Sequence, residues 1–248
     1  MMEWVFLSPH LDDVVFSSGG LVWEQTQAGN PVGIWTLFAG GSPGGKLSSF
    51  AREMHKSWKI SGDVLLERKR EDREACRILG AQPMHWEQPD AIYRRSSQDR
   101  GYLYTSEEAL FGGIHAEEEN LIAELREKLA SALPDSGSVV APLGIGNHVD
   151  HQLTRKAAAR LDREVLYYAD YPYLREEEGK QILNRLQRTE DWQPVLFPVS
   201  QAGLERWQQA GLAYHSQIDS FWEDGADFRN QISQLAAGSG GVVLWRKV

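Results

Sequence analysis

Near its N-terminus the chain reads WVFLSPHLDDVVFSSGG over residues 4–20, a short apolar run followed by a helical pattern. One imidazole and two adjacent carboxylates stand between the two patterns, at His10, Asp12 and Asp13. A strand that gives way to a helix at polar residues is where α/β proteins carry their chemistry. The segment therefore predicts the first strand and helix of an α/β fold, with a candidate site at their junction.

These three polar residues admit two interpretations. His10 and Asp13 could bind a metal while Asp12, which must point elsewhere than its neighbour, acts on a water molecule. Alternatively, the two carboxylates only cap the helix, since each stabilises a helix N-terminus by roughly 0.3–1 kcal/mol. This segment alone does not decide between them.

The rest of the chain alternates strand and helix patterns, which predicts a doubly wound, mostly parallel sheet with helices on both faces. Further strands are predicted at 32–38, 83–86, 139–141, 164–168, 195–197 and 242–245, and helices at 14–28, 63–79, 116–132, 153–161, 201–210 and 227–236. No linker or repeat divides the chain. We therefore expect a single domain, with its core in residues 1–170 and with residues 171–248 completing the domain and the cleft.

The helix predicted at 63–79 carries a run of charges of both signs over residues 67–74. Such a run is typical of a solvated helix face. Cys76, the only cysteine, lies in the same helix, and we interpret it as a small buried hydrophobe rather than a nucleophile. A single cysteine also excludes an intramolecular disulfide and a cysteine-based zinc cluster.

Composition argues against nucleic acids and membranes as partners. The net charge is −9 over 248 residues, which disfavours a broad surface for nucleic acid or anionic lipid. The N-terminus has no basic region before its apolar run, and no stretch approaches the length of a bilayer span. We expect a cytoplasmic protein that binds a small molecule, and the sequence leaves open whether it forms a homo-oligomer.

A second polar cluster follows the strand predicted at 139–141, with His148, Asp150 and His151. In the doubly wound strand order 3-2-1-4-5, strand 4 lies beside strand 1, so both clusters meet at the carboxyl edge of the sheet. Asp150 can accept a hydrogen bond from an imidazole and fix its tautomer. The alternative is that His148 only caps the helix or is exposed to solvent.

Together the clusters predict an open metal site formed by His10, Asp13 and His151. Two imidazoles and one carboxylate with free positions for water suit a catalytic Zn²⁺, with Fe²⁺ as the alternative. A closed structural zinc site would need a fourth ligand, commonly a cysteine. The open, catalytic interpretation is therefore favoured.

Residues 87–113 have no clear periodicity and are long for a loop in a compact domain. They are either a substrate-binding segment or a mobile excursion on the surface. Asp90 follows the third predicted strand, again at the carboxyl edge, and could accept hydrogen bonds from a bound ligand. Tyr93 and Arg94 are candidates for lining the same pocket.

The two clusters resemble the signatures of a known family, the PIG-L/LmbE-like zinc-dependent N-deacetylases. The resemblance lies in HLDD at 10–13 followed by the Gly pair at 19–20, and in HVDH at 148–151. Residues 68–80 resemble the family's Arg-x-x-Glu…Leu-Gly helix, and residues 214–217 resemble its late aromatic-x-Ser-Gln segment. The alternative for residues 214–217 is that they only pack the C-terminal part of the chain.

The resemblance implies a Rossmann-like domain with zinc bound by His10, Asp13 and His151. Asp12 would be the general base that takes a proton from a water activated by the metal. The water attacks an amide carbonyl, which releases acetate or another carboxylate and a free amine, often on a glucosamine unit. The expected partner is thus an N-acylated sugar or sugar conjugate.

Further roles also follow from the resemblance. His148, oriented by Asp150, would stabilise the tetrahedral intermediate or protonate the leaving amine. Arg68 matches a family position near the substrate, whereas the alternative is one more exposed charge on a mixed helix. With Asp90, Tyr93 and Arg94, it completes the predicted substrate-binding set.

Two departures from the family pattern affect the expected efficiency. Leu11 stands where the family usually has Pro, which should alter only the rigidity of the turn. Val14 stands where it usually has Glu, so the metal ligands are expected to be less well oriented or the metal affinity to be weaker.

Alternative functions are an amidase acting on a thiol conjugate or other small amide, and a catalytically weak metal- or sugar-binding protein. A nucleotide-binding oxidoreductase is the least supported class, because the Gly40-Gly41 loop lacks the GxGxxG fingerprint.

Overall fold

The computed structural model describes residues 3–42, 44–189 and 191–248. The strands are β1 (Trp4–Ser8), β2 (Val32–Thr36), β3 (Gln82–His85), β4 (Ser138–Pro142), β5 (Val165–Tyr168), β6 (Trp192–Pro198) and β7 (Gly241–Lys247). The α-helices are α1 (Asp13–Gln27), α2 (Ser49–Ser57), α3 (Val64–Leu79), α4 (Glu107–Leu110), α5 (Glu119–Ala132), α6 (Val149–Ala158), α7 (Glu177–Gln187), α8 (Gln201–Gly211), α9 (His215–Phe221) and α10 (Gly225–Ser239). Short 3₁₀ turns occupy Ala91–Tyr93, Ala116–Glu118 and Tyr173–Arg175.

The strands form one sheet in the order β3-β2-β1-β4-β5-β7-β6. Strands β1 to β5 pair in parallel, and β7 is antiparallel to both of its neighbours. The predicted strand order and the mostly parallel, doubly wound α/β fold are thus confirmed. The carboxyl ends of β1 and β4, adjacent strands, lie at the same edge.

Side chains of β1 alternate between two hydrophobic clusters, one on each face of the sheet. Phe6 packs in the cluster that contains residues of α1, α3, α8 and α10, whereas Val5 and Leu7 pack with residues of α5 and α6. This alternation follows from the two-residue repeat of a strand. It confirms that helices cover both faces.

The Gly19-Gly20 pair allows α1 and α8 to approach closely. The indole of Trp207, on α8, donates from Nε1 to the carbonyl of Val15 at 2.6 Å. A Cβ atom at Gly19 would lie 2.5 Å from Trp207 Cδ1, and one at Gly20 would lie 2.8 Å from Cε3. The two glycines therefore provide space for an indole from the last third of the chain.

Helix α3 differs from the prediction of a solvated charged face. Its N-cap Asp63 accepts from Leu66 N, and Gly80 ends it with a left-handed φ of 74°, close to the predicted bounds. However, Arg68, Glu71 and Asp72 within the charged run are buried. The prediction was wrong for these three because their polar partners come from other segments of the chain, where helical periodicity gives no signal. Cys76 is fully buried, as expected.

Residues 87–113 are folded against the domain. Their Ile92, Tyr104 and Leu110 join a third buried cluster with Phe50 of α2 and Trp58. This packing favours a binding segment over a surface excursion. Among the residues that the structure describes, no helix is long and apolar enough to cross a membrane.

Candidate metal centre and active site

The turn between β1 and α1 positions His10, Asp12 and Asp13. Ser8 Oγ donates to the carbonyl of His10 at 2.6 Å, and Asp13 Oδ2 accepts from the backbone N–H of His10 at 2.7 Å. Asp12 occupies the N-cap position, yet its side chain forms no capping hydrogen bond. The helix-cap interpretation therefore leaves the Asp12 carboxylate unexplained.

Helix α6 begins at Val149, four residues before the predicted start, so Asp150 and His151 belong to its first turn. His148 is its N-cap residue, with Nδ1 accepting from the amide of Asp150 at 3.1 Å. The His10 ring lies 4.6 Å from the His148 ring and 5.4 Å from the His151 ring, between centroids. The two clusters meet, as the strand order predicts.

Asp13 lies between the imidazoles of His10 and His151. Its Oδ2 is 3.3 Å from His10 Nδ1, and its Oδ1 is 3.3 Å from His151 Nε2. His151 is fully buried, and its Nε2 has no hydrogen-bond partner among the described residues. Two atoms that each bind a tetrahedral Zn²⁺ at roughly 2.1 Å stand about 3.4 Å apart. These residues therefore fit a metal ion.

Each of these two imidazoles is held by a buried carboxylate at its other nitrogen. His10 Nε2 lies 3.0 Å from Asp150 Oδ2, and His151 Nδ1 lies 2.6 Å from Asp170 Oδ1. Carboxylates behind metal-binding histidines fix the tautomer and direct the remaining lone pair. Asp150 thus contacts His10 through its carboxylate and His148 only through its backbone amide, which differs from the predicted arrangement.

Two further sets of candidate ligands overlap the first. Nitrogen atoms of His10, His148 and His151 lie within 4.8 Å of one another, and the same holds for ligand atoms of His10, Asp90 and Asp150. Both sets combine imidazoles or carboxylates of the kind that Zn²⁺ and Fe²⁺ prefer. His10 is common to all of these arrangements.

The electrostatics of the site also favour a cation. Burial lowers the pKa of His10, but contacts with Asp13 and Asp150 outweigh it, so the pKa lies well above its usual value. Burial likewise opposes charge on His151, yet Asp13 and Asp170 raise its pKa to about 9. The raised pKa values of both imidazoles indicate a negative electrostatic potential at the site. A metal ion can take the place of the protons and balance this potential.

Asp12 lies beside this centre and contacts Arg68. The Arg68 Nη2 donates to Asp12 Oδ2 at 3.3 Å, and the guanidinium lies 4.6 Å from the centroid of the Trp58 ring. Burial raises the pKa of Asp12 to about 6, although Arg68 opposes the shift. A carboxylate with a pKa near neutrality suits a general base. Arg68 is buried, so it is not one more exposed charge.

A cavity of about 500 Å³ opens above these residues. Its lining includes His10, His148 and Arg68, and aromatic rings from α1, α2, α9 and the turns that follow α2, α4 and β5. The aromatic lining residues are Phe16, Phe50, Trp58, Phe111, Tyr173 and Phe221. This size and the combination of aromatic walls with polar groups that converge on one cavity are typical of a small-molecule site.

Only some of the predicted substrate-binding residues line the main cavity. Asp90 lines the cavity, with Oδ1 accepting from Ile92 N at 3.1 Å and Oδ2 3.9 Å from His10 Nε2. Tyr93 lines only a small side cavity, and its hydroxyl lies 2.5 Å from His55 Nε2. Arg94 does not line the main cavity.

Arg94 instead lies outside the main cavity and contacts Asp150. Its guanidinium pairs with Glu118 and with Asp150 Oδ1, at 2.5 Å from the latter, and donates to the carbonyl of Pro89 at 3.1 Å. Its donors are therefore already engaged, which is why it does not face the cavity. Arg94 supports Asp150, and through it His10.

Asp170 and Glu118 were not identified from the sequence, and Glu71 was noted only as the glutamate of the Arg-x-x-Glu helix pattern, with no role assigned. Asp170 follows β5 and accepts from the amides of Gly144 and Ile145 with Oδ2, at 2.8 and 2.9 Å. The rule that located the clusters after β1 and β4, polar residues at a strand's carboxyl end, would also have identified Asp170. Glu118 had no such signal, because its partner Arg94 belongs to an aperiodic segment.

Glu71 anchors the late segment at 214–217. The hydroxyl of Ser216 donates to Glu71 Oε2 at 2.6 Å, and its amide donates to Oε1 at 2.8 Å. The Tyr214 hydroxyl donates to Asp72 Oδ1 at 2.7 Å. Gln217 lines the cavity and donates to Ser216 Oγ at 2.8 Å. This segment thus both packs against α3 and forms part of the cavity wall.

The two residues that depart from the family pattern are both buried. Val14 is fully buried in the same core cluster as Phe6, and Leu11 is also buried. Val14 donates its amide to Ser8 Oγ at 3.3 Å, which keeps the turn closed. The valine side chain therefore packs the core instead of supplying a carboxylate to the site.

Comparisons with known proteins agree with this arrangement. Residues 5–161 match the family model described as PIG-L: GlcNAc-PI de-N-acetylase. The chain is 32% identical to a 2′-N-acetylparomamine deacetylase of Niallia circulans, over 86% of this chain and 80% of the relative. It is 28% identical to a protein of the same name from Streptomyces fradiae, over 87% and 73%. Its fold is similar to that of the zinc-inhibited form of teicoplanin deacetylase Orf2, with a TM-score of 0.82, 25% identity and coverage of 98% and 96%.

Proposed function

This chain belongs to the PIG-L family of GlcNAc-PI de-N-acetylases and is a metal-dependent N-deacetylase, and we propose that it removes the acetyl group from the 2-acetamido group of an amino sugar or its conjugate. The observation that carries the proposal is the placement of Asp13 between His10 and the unpartnered Nε2 of His151, beside the free carboxylate of Asp12.

We assign His10, Asp13 and His151 as the metal-holding residues, with Zn²⁺ as the ion and Fe²⁺ as the alternative. When bound, the metal polarises the acetamide carbonyl and lowers the pKa of a water molecule. Asp150 and Asp170 hold the two imidazoles so that their free nitrogens face Asp13. Arg94 in turn holds Asp150 from behind.

Asp12 serves as the general base in this proposal. It lines the cavity, and its pKa of about 6 keeps most of the group deprotonated at neutral pH. It accepts the proton of the attacking water and passes it to the amine nitrogen as the C–N bond breaks, which leaves acetate and the free amine. Arg68, in contact with Oδ2, stabilises the charged form and directs the other oxygen.

His148 stabilises the charge that develops on the carbonyl oxygen. Because its Nδ1 accepts the Asp150 amide, the neutral ring carries its proton on Nε2. Burial, together with the neighbouring His10, keeps the pKa of His148 well below its usual value, so the neutral tautomer persists. The Nε2–H group is then a fixed donor toward the cavity, available to the oxyanion or the leaving amine.

The cavity lining suits a pyranose. Tyr173 and Phe221 offer apolar rings for the sugar, and Asp90 offers an acceptor for hydroxyl groups beside His10. The two relatives are named for deacetylation of 2′-N-acetylparomamine. We therefore place the substrate of this chain among acetylated amino sugars rather than thiol conjugates or other small amides.

The proposal is tested by incubating metal-loaded protein with 2′-N-acetylparomamine, N,N′-diacetylchitobiose and a thiol-conjugated acetamide, and by detecting the released amine. Hydrolysis of an acetamido sugar that a chelator abolishes and added Zn²⁺ restores supports it. Hydrolysis of the thiol conjugate alone, or turnover that the chelator does not change, would contradict it.

A further inference from the structure

The cavity above the candidate metal centre is strongly acidic. Six carboxylates line it, whereas Arg68 is the one lining arginine or lysine among the described residues. The carboxylates are Asp12, Asp13, Asp90, Glu53, Glu107 and Asp219. Such a lining favours a ligand with positive charges over a neutral ligand of the same shape.

Four of these carboxylates already have partners. Asp12 contacts Arg68, and Asp13 contacts the two imidazoles. Asp90 Oδ1 accepts from a backbone amide of the turn that follows it. Asp219 Oδ2 pairs with Lys59 Nζ at 2.8 Å. Their negative charges are thus wholly or partly engaged by the protein itself.

Glu53 and Glu107 differ from the other four. Glu53 lies on α2, and Glu107 begins α4, so they approach the cavity from separate segments. Within the described part of the chain, neither carboxylate forms an ion pair with any side chain. Both side chains are exposed, so a ligand can reach them without breaking an existing pair.

A second feature of the same cavity points to a polar ligand. Arg68 is 8% exposed, yet its Nε has no hydrogen-bond partner among the described residues. A buried donor without a partner costs roughly 1–3 kcal/mol, so a ligand that supplies an acceptor is favoured. Arg68 itself lines the cavity, so an oxygen of the ligand near its guanidinium and ammonium groups near the free carboxylates would both be matched.

We propose that the substrate is a polycationic amino sugar, in which the part beyond the reacting acetamide carries protonated amines that Glu53 and Glu107 bind. The inference rests on the proposed deacetylase function and narrows its substrate class. Ammonium groups give long-range attraction into the acidic cavity and specific contacts at the two free carboxylates. A neutral acetamido sugar can reach the metal centre, but it gains neither the long-range attraction nor the contacts with the two carboxylates.

The test compares two probes, 2′-N-acetylparomamine, whose remaining amines are protonated at neutral pH, and the neutral N,N′-diacetylchitobiose. The wild-type chain should show the higher kcat/KM with the cationic probe. The ratio of the two kcat/KM values should fall about two- to fivefold in Glu53→Gln and in Glu107→Gln, and about tenfold in the double variant, since exposed ion pairs are worth about 0.2–1 kcal/mol each. Glu108→Gln, at an exposed carboxylate that does not line the cavity, is the matched control and should leave the ratio unchanged.

Salt provides an independent measurement on the unmodified chain. Raising NaCl from about 50 mM to about 500 mM should raise KM for the cationic probe more than for the neutral probe. The reason is that salt screens the attraction between the carboxylates and the ammonium groups. A ratio that neither variant nor salt changes would overturn this inference while leaving the deacetylase function intact. Failure to hydrolyse either probe with metal present would overturn the proposed function itself.

Discussion

Asp13 Oδ1 lies 3.3 Å from His151 Nε2, and this nitrogen has no hydrogen-bond partner in the described part of the chain although it is fully buried. A buried imidazole nitrogen left without a partner is costly unless something else fills the gap. A divalent cation would fill it and would also satisfy Asp13 and His10. The metal centre is therefore the simplest account of this pair.

Loss of the pair should remove the metal. His151→Ala deletes a ligand and should abolish stoichiometric zinc, measured by elemental analysis after dialysis against a trace of metal. His115→Ala changes an exposed histidine of a 3₁₀ cap and should retain one ion per chain. Full zinc content in the His151 variant would contradict the ligand assignment.

Asp170 should tune metal affinity through His151. Asp170→Asn keeps the shape but weakens the acceptor for His151 Nδ1, and removal of such outer carboxylates typically costs about 10–100-fold in metal affinity. Competition with a chromogenic chelator measures the change. The control is Asp162→Asn at an exposed aspartate, where affinity should not move. Equal affinities for both variants would show that Asp170 is only a structural acceptor.

Arg68 should set the acidic limb of the pH–rate profile. Burial raises the pKa of Asp12 to about 6 and Arg68 lowers it, so losing the guanidinium must raise this pKa further. A base with a higher pKa is protonated over more of the acidic range, so in Arg68→Met the acidic limb of kcat/KM should move to higher pH.

Two variants make the Arg68 experiment specific. Arg68→Lys keeps the charge and should recover part of the shift. Arg70→Met removes an exposed arginine of the same helix and should leave the limb in place. If the acidic limb of kcat/KM does not shift in Arg68→Met, or shifts to lower pH, Asp12 is not the titrating base.

The glycine pair of α1 should matter for stability rather than for chemistry. Gly19→Ala places a Cβ 2.5 Å from the Trp207 indole, and overpacking of this kind typically costs about 1–3 kcal/mol of unfolding free energy. Chemical denaturation of the two variants measures it. Gly238→Ala, in α10 with nothing within 4 Å, should be neutral or stabilising by up to about 1 kcal/mol. Equal costs at both positions would contradict the close helix contact.

The parts of the fold that follow from local periodicity were predictable. The strand order β3-β2-β1-β4-β5 and the meeting of the His10 and His151 segments follow from alternating patterns and the rule for parallel sheets. The segment after β5 obeys the same rule, and Asp170 shows that it extends to a third strand end.

Pairings across long stretches of chain were not predictable. Glu71 meets Ser216 across 145 positions, and Arg94 meets Asp150 across 56. In a single sequence, a carboxylate that will be buried against a distant partner has the same appearance as one on a solvated face. The eight consecutive charges of α3 therefore indicated exposure, although three of them are buried.

The central claim is that Asp12 acts as the base beside a metal it does not hold. The most direct measurement is zinc content together with turnover of 2′-N-acetylparomamine in Asp12→Asn. We predict about one ion per chain and a turnover lower by at least about 100-fold, the usual lower range for loss of a general base. Near-wild-type turnover in this variant, or undiminished turnover of metal-free wild-type protein, would contradict the account.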